Sequence, residues 1–177
     1  LSYENIADKA TVAGVEIEIR KNLFVRPVSN AAHGMNKLSL GLNGSYIYTN
    51  AKMPLATVTT GSQLEGAAPW IVNFDLSHNF TKGERSFVNT LVLNYVSDKI
   101  YTIGTQGYQD VMEQGVLILD FVSQAKLNKH LSLNLKARNL LNPSYKLSRK
   151  ANENGEKVIL NDYKKGINIS LGVSCTF

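Results

Sequence analysis

Glu16 and Glu18 stand two residues apart in the run Val15-Glu16-Ile17-Glu18-Ile19-Arg20. On an extended chain both carboxylates then share one face, a spacing at which a pair can do acid/base work. The competing reading is a wet wall whose acids are balanced by arginines and lysines of neighbouring strands, and the rest of the chain favours it. There is no Ser/His/Asp arrangement and no phosphate-cradling glycine loop. His33, His78 and His130 are scattered without metal-ligand spacing, and His78 falls on an apolar face near the end of a run, where an interfacial imidazole is the expected role. A single thiol, Cys175, closes no disulfide within the chain and has no second cysteine with which to hold zinc. The residues point away from an enzyme, and no cofactor or metal is expected.

What must position these residues is a set of strands. From Val15 to Arg20 every odd residue is a β-branched aliphatic and every even one is charged, the period-two pattern of a strand with one apolar and one polar face. The pattern returns in Leu38, Leu40, Leu42, Tyr46 and Tyr48; in Val72, Phe74 and Leu76; and in Phe87, Leu91, Leu93 and Tyr95. It continues in Leu117, Leu119 and Phe121; in Leu131, Leu133, Leu135 and Ala137; and from Ile167 to Phe177. Roughly seven strands follow, many longer than the ~5–6 residues usual in soluble proteins, and nothing reads as a helix. Tight turns fall at Thr81-Lys82-Gly83-Glu84 and Asn128-Lys129-His130. Long links run over about residues 50–69, 98–113 and 141–165, the third containing Asn154-Gly155, a pair suited to a type I′ hairpin. The stretch from about Leu23 to Asn36 is the exception, a longer link on the side of the tight turns. No repeat, linker or shift of composition marks a domain boundary.

With 177 residues, 44% hydrophobic and 19% charged, the chain is folded rather than disordered, and no apolar run approaches the ~18 residues of a membrane helix. Alternating strands hide their hydrophobicity from such averages, so a membrane barrel stays open. The net charge of +5 is spread through turns and loops instead of forming a stripe, so nucleic acid is not the expected partner. A soluble lipocalin-like barrel or immunoglobulin-like sandwich alternates in the same way. Three features favour the membrane. Glu16, Glu18, Arg20, Asp75, Asp120, Lys126, Lys136 and Arg138 sit mid-strand among Asn, Ser and Gly, as in the polar lumen of an outer-membrane barrel. Trp70 and Phe80 share a face about ten residues apart, roughly 23 Å at ~45° tilt, near the ~25 Å apolar band between aromatic girdles. The last run keeps its apolar face to Phe177 without a polar tail, where soluble domains fray. The opening Leu1-Ser2-Tyr3-Glu4 shows neither a start methionine nor a signal peptide and reads as part of a longer chain.

Three stretches together resemble the C-terminal part of the β-barrel of TonB-dependent outer-membrane receptors, in the style found in Bacteroidetes. They are Gly14-Val15-Glu16-Ile17-Glu18-Ile19, Ala137-Arg138-Asn139-Leu140-Leu141-Asn142-Pro143-Ser144-Tyr145 and Gly172-Val173-Ser174-Cys175-Thr176-Phe177. The stretch from Ala137 to Tyr145 is similar to that family's penultimate strand entering its last loop. The stretch from Gly172 to Phe177 is similar to its closing strand, with Val173, Cys175 and Phe177 as the signal read by the barrel-assembly machinery, although the family commonly has an aromatic where Cys175 stands. The resemblance implies an all-β, antiparallel transmembrane barrel of the large, 22-stranded type, of which residues 1–177 supply about the last third. It places outside the chain both the plug and the segment that engages the energy-transducing TonB-type periplasmic protein. It also implies outer-membrane lipid around the wall, a surface lipoprotein as a further partner, and a periplasmic C-terminus. The tight turns then face the periplasm and the long links the medium.

On this reading the function is uptake of a bulky, scarce solute: a siderophore, haem, vitamin or glycan. Tyr101, Tyr108 and Tyr145, in the long links, are the candidate stacking residues, while Glu16, Glu18, Arg20, Asp75, Asp120, Lys136 and Arg138 face the lumen. The basic link residues Lys146, Arg149, Lys150, Lys164 and Lys165 suit an anionic ligand or anionic surface lipid equally. Two other readings stay open: a barrel subunit or scaffold of a larger outer-membrane complex, and a small self-closed barrel, porin-like or lipocalin-like. The expected lipid-facing set is Leu40, Leu42, Phe74, Leu93, Leu119, Leu133 and Leu171. The strands near Val15 and Phe177 are expected not to pair with each other.

Overall fold

The computed structural model describes residues 9–28, 34–52, 63–104, 108–151 and 155–177. Among them there are eleven strands and no helix: β1 (Lys9–Pro27), β2 (Met35–Lys52), β3 (Trp70–Lys82), β4 (Arg85–Val96), β5 (Lys99–Thr102), β6 (Val111–Glu113), β7 (Val116–Lys126), β8 (Leu131–Arg138), β9 (Ser144–Lys150), β10 (Lys157–Lys164) and β11 (Asn168–Cys175). The seven alternating runs form one antiparallel sheet in the order β1-β2-β3-β4-β7-β8-β11. Its register carries the alternation from strand to strand. Ile19, Leu42, Phe74, Leu93 and Leu119 lie opposite one another in one row, and one residue along lie Arg20, Gly41, Asp75, Val92 and Asp120. Opposed residues point the same way, so the whole sheet has one apolar and one polar face.

Two expectations about the connections need correction. The link from Leu23 to Asn36 is shorter than its sequence suggests, because β1 continues to Pro27, which pairs with Met35. The register shifts between Asn22 and Phe24. Leu23 is the extra residue of a bulge, and one inserted residue reverses the parity of everything after it, which is why the alternation is lost there. The links over 98–113 and 141–165 are not loops throughout. They contain β5, β6, β9 and β10, a second sheet in the order β5-β6-β9-β10. Its strands run on from β4, β7, β8 and β11, so the second sheet repeats the order of that half of the first. β5 and β6 are too short for a period to show, and the register shifts at Ile100/Thr102 and Ile159/Asn161 break the alternation in β5 and β10. Asn154, His33 and Leu1-Ser2-Tyr3-Glu4 lie outside the described residues, while Gly155 has φ +83° in the link between the paired Lys150 and Lys157.

Among the described residues the main sheet has no second layer. Ile17 is 61% exposed, Trp70 52% and Leu171 71%, and among the described residues no large side chain is fully buried. A sheet with one apolar face must bury that face against something, and none of the described residues covers it.

Candidate functional site

The polar face gathers the charges. Register places Glu16, Glu18, Arg20, Asp75, Asp120, Lys136 and Arg138 all on it, although they come from β1, β3, β7 and β8. Arg20 pairs with Glu18 of its own strand, not with an acid of a neighbour. Asn43 Nδ2 donates to Glu16 Oε1 at 2.6 Å and Asn73 Nδ2 to Asn43 Oδ1 at 3.2 Å, a polar ladder across three strands. Both carboxylates are therefore engaged with separate partners, which suits a wet wall better than a proton-trading pair. Asp75 lies across Gly41 of β2, where a Cβ would overlap its carboxylate. The glycine lets an acid of β3 reach toward Arg20 of β1, beside a polar hollow of about 630 Å³ bounded also by Asn22, Lys37 and Ser77.

The apolar face is arranged in bands. Tyr46 and Trp70 pack at one end with ring centroids 4.6 Å apart, and Phe80 and Phe87 at the other, 6.5 Å apart. Between these ends stand Leu40, Leu42, Phe74 and Leu93, with Leu119 continuing the row on β7 and Leu133 and Leu171 on the same face of β8 and β11. Gly44, with no side chain, leaves a groove of about 500 Å³ between Ile17, Leu42, Tyr46, Trp70 and Val72. Val173 and Cys175 lie on this face opposite Leu133 and Leu131, and Phe177 beyond them is exposed. His130, in the β7–β8 turn, holds the end of this segment: its carbonyl accepts from Thr176 N–H at 2.9 Å, and its Nδ1 lies 2.7 Å from Thr176 O.

Side chains given no such role by the sequence, and Asp120 of the polar face, join the two sheets. Asp98 Oδ1 accepts from Gly115 N–H at 2.6 Å, and Asp120 Oδ1 from Asn139 N–H at 2.8 Å. Asn139 Nδ2 donates to Gly166 O at 2.6 Å, and Gly166 N–H donates to Asn142 Oδ1 at 3.0 Å. Asn139, Asn142 and Gly166 have φ of +59°, +44° and +81°. Asparagine tolerates the left-handed region better than most residues, so Asn139-Leu140-Leu141-Asn142-Pro143 is turn chemistry. Asp120 thus serves the joint as well as the polar face.

The second sheet carries the three tyrosines but does not bring them together. Tyr145 is only 7% exposed, stacks on Tyr163 at 5.5 Å, and has Lys165 Nζ 3.9 Å from its ring centroid. Its ring serves the sheet. Tyr101 and Tyr108 are 54% and 60% exposed, and Arg149 sits 4.9 Å from the Tyr108 centroid. Arg149 also borders a hollow of about 350 Å³ lined by Asp98, Gln109, Asp110, Met112, Lys150 and Lys157. Of the basic link residues, Lys146 is drawn away by Asp162 at 3.7 Å. The hollow holds both signs of charge beside an aromatic ring, which suits a polar ligand with a flat apolar part. Among the described residues no group of His, Cys, Asp and Glu could hold a metal ion.

A model of the TonB dependent receptor-like beta-barrel family matches residues 1–140. No curated protein and no solved structure matches the chain.

Proposed function

The chain belongs to the TonB-dependent receptor β-barrel family, and from that premise we propose that its main sheet is a sector of a large closed barrel through which a bulky, scarce solute enters the cell. The family places it in the bacterial outer membrane and in transport, not catalysis. The observation that carries the finer reading is the uncovered apolar face, banded by aromatics at both ends of β3. In water such a face is a liability; in a bilayer it is the surface that lipid covers. Leu40, Leu42, Phe74, Leu93, Leu119, Leu133 and Leu171 then face hydrocarbon, and Glu16, Glu18, Arg20, Asp75, Asp120, Lys136 and Arg138 face the lumen. β1 and β11 end the sheet. An unpaired strand edge in hydrocarbon costs several kcal/mol per backbone group, which supports further strands of the same polypeptide closing a barrel of the 22-stranded type.

The remaining parts follow the same reading. The β3–β4 and β7–β8 turns face the periplasm with the C-terminal segment, and the second sheet extends the wall into the medium. Val173, Cys175 and Phe177 present the assembly signal. The plug and the segment engaging the energy-transducing periplasmic protein belong to other parts of the receptor, as does any surface lipoprotein contact. The solute is a siderophore, haem, vitamin or glycan, met first by Tyr101, Tyr108 and the hollow at Arg149, with Tyr145 supporting that sheet. The test is uptake by receptor-deficient cells carrying the complete receptor, over a panel of these four classes. One class should restore growth at limiting supply, and Tyr108→Ala with Arg149→Gln should weaken its binding about 10-fold or more. Rescue by none of the four, or rescue with unaltered binding by the double variant, defeats the corresponding part of the proposal.

A further inference from the structure

The outer surface of the β3–β4 hairpin carries a sequence of groups that hydrocarbon alone does not explain. Lys82 and Arg85 are direct cross-strand partners on the apolar face, at the two-residue turn made by Gly83, with φ +59°, and Glu84. Like charges placed opposite each other repel, and among the described residues neither forms an ion pair. One row inward stand Phe80 and Phe87, and the next row holds His78 opposite Asn89. His78 Nε2 lies 2.8 Å from Asn36 Oδ1, and Ser123 Oγ donates to Asn89 Oδ1 at 2.7 Å. Both asparagine carbonyls are thereby occupied, while their amide N–H groups find no acceptor among the described residues. Beyond this row the surface becomes Leu76 and Leu91, then Phe74 and Leu93.

We propose that this surface binds an anionic glycerophospholipid of the leaflet on the turn side. Lys82 and Arg85 take the phosphate, the amides of Asn36, level with Phe80, and of Asn89, level with His78, meet the ester linkages, and the acyl chains lie along Leu76, Leu91 and Leu93. The inference rests on the membrane reading above. The cations and Asn89 are four residues apart, roughly 9 Å along the bilayer normal, comparable with the ~5–8 Å headgroup layer of one leaflet, and Asn36 stands between the two levels. A phosphate between the two cations also removes their repulsion. The neighbouring β7–β8 turn lacks this order: its apolar face there carries Leu127, Leu131 and Cys175. The cationic edge therefore stops at β4, and on its other side Arg26 of β1 lies opposite Asn36 on the same face.

The complete receptor, purified in uncharged detergent, is titrated with dioleoylphosphatidylglycerol or with dioleoylglycerol, which has the same tails and no phosphate, and bound lipid is counted by native mass spectrometry. Phosphatidylglycerol should be retained and dioleoylglycerol not. Lys82→Gln with Arg85→Gln should weaken retention about 30-fold, whereas Lys126→Gln, near the same turn side but on the polar face, should leave it unchanged. The wild-type protein gives an independent reading that no folding defect can imitate: raising salt from about 0.1 to about 1 M should release the phospholipid. Equal retention of both lipids, undiminished retention by the double variant, or indifference to salt overturns the site. A receptor that is monodisperse without detergent defeats the membrane reading and the site with it. A detergent-dependent receptor indifferent to phosphatidylglycerol defeats the site alone.

Discussion

Arginine at Leu93 and, separately, at its neighbour Val92 tests the assignment of the two faces within a single strand. Leu93 lies in the row of Ile19, Leu42, Phe74 and Leu119. Along β3, Phe74 is four residues from Trp70 and six from Phe80. At ~3.3 Å per residue and ~45° tilt the row stands roughly 9 Å from one aromatic end and 14 Å from the other, near the middle of the apolar band. An arginine there should cost roughly 2–4 kcal/mol, or about 30- to 700-fold in the folding equilibrium. Val92 faces the other way, directly between Asp75 and Asp120 in its row. An arginine there meets opposite charge beside water and should cost under about 1 kcal/mol. The complete receptor is folded into lipid vesicles and titrated with urea, the folded fraction being read from the mobility of unheated samples on a gel. If Val92→Arg costs as much as Leu93→Arg the assignment of the two faces fails, and if it costs more the faces are exchanged.

Other substitutions probe single contacts. Gly41→Ala should displace the Asp75 carboxylate and destabilise by about 1–2 kcal/mol, and this cost should shrink by at least ~0.5 kcal/mol in an Asp75→Ala background, a coupling read from a double-mutant cycle by urea titration. Asn139→Ala loses the bond to Gly166 and places a Cβ-bearing residue without a polar side chain at φ +59°, so about 1–3 kcal/mol is expected; Asn139→Gly keeps the backbone and should cost roughly half as much by the same assay. Tyr145→Ala should raise protease sensitivity in β9 and β10, whereas Tyr108→Ala should alter solute binding and leave digestion unchanged. An epitope inserted after Gly155 should be reached by antibody on intact cells, and one at Lys82-Gly83 only after the outer membrane is permeabilised; the opposite order refutes the proposed orientation.

The two faces of the main sheet were legible in the sequence because a strand's side chains alternate strictly. Val15-Glu16-Ile17-Glu18-Ile19 states which residues are apolar-side and which polar-side before any partner is known, and the register then only aligns one strand's alternation with the next. The same rule located the tight turns and put His78 on the apolar face. Where a single residue is inserted, as at Leu23, parity reverses and the sequence signal vanishes although the strand continues. Tertiary structure alone decided what depends on pairs far apart in the chain. Whether Asp75 reaches across Gly41, whether Asn139 meets Gly166 or whether Tyr145 stacks on Tyr163 is a matter of which strands become neighbours. The second sheet belongs to the same class: β5 and β6 have four and three residues, too few for a period, while β9 and β10, with seven and eight, lose theirs to the register shift at Ile159/Asn161, and all four are held by pairing with one another and by the hydrogen bonds of the joint. Local alternation can specify a face; only the cooperative pairing of distant segments can specify a contact.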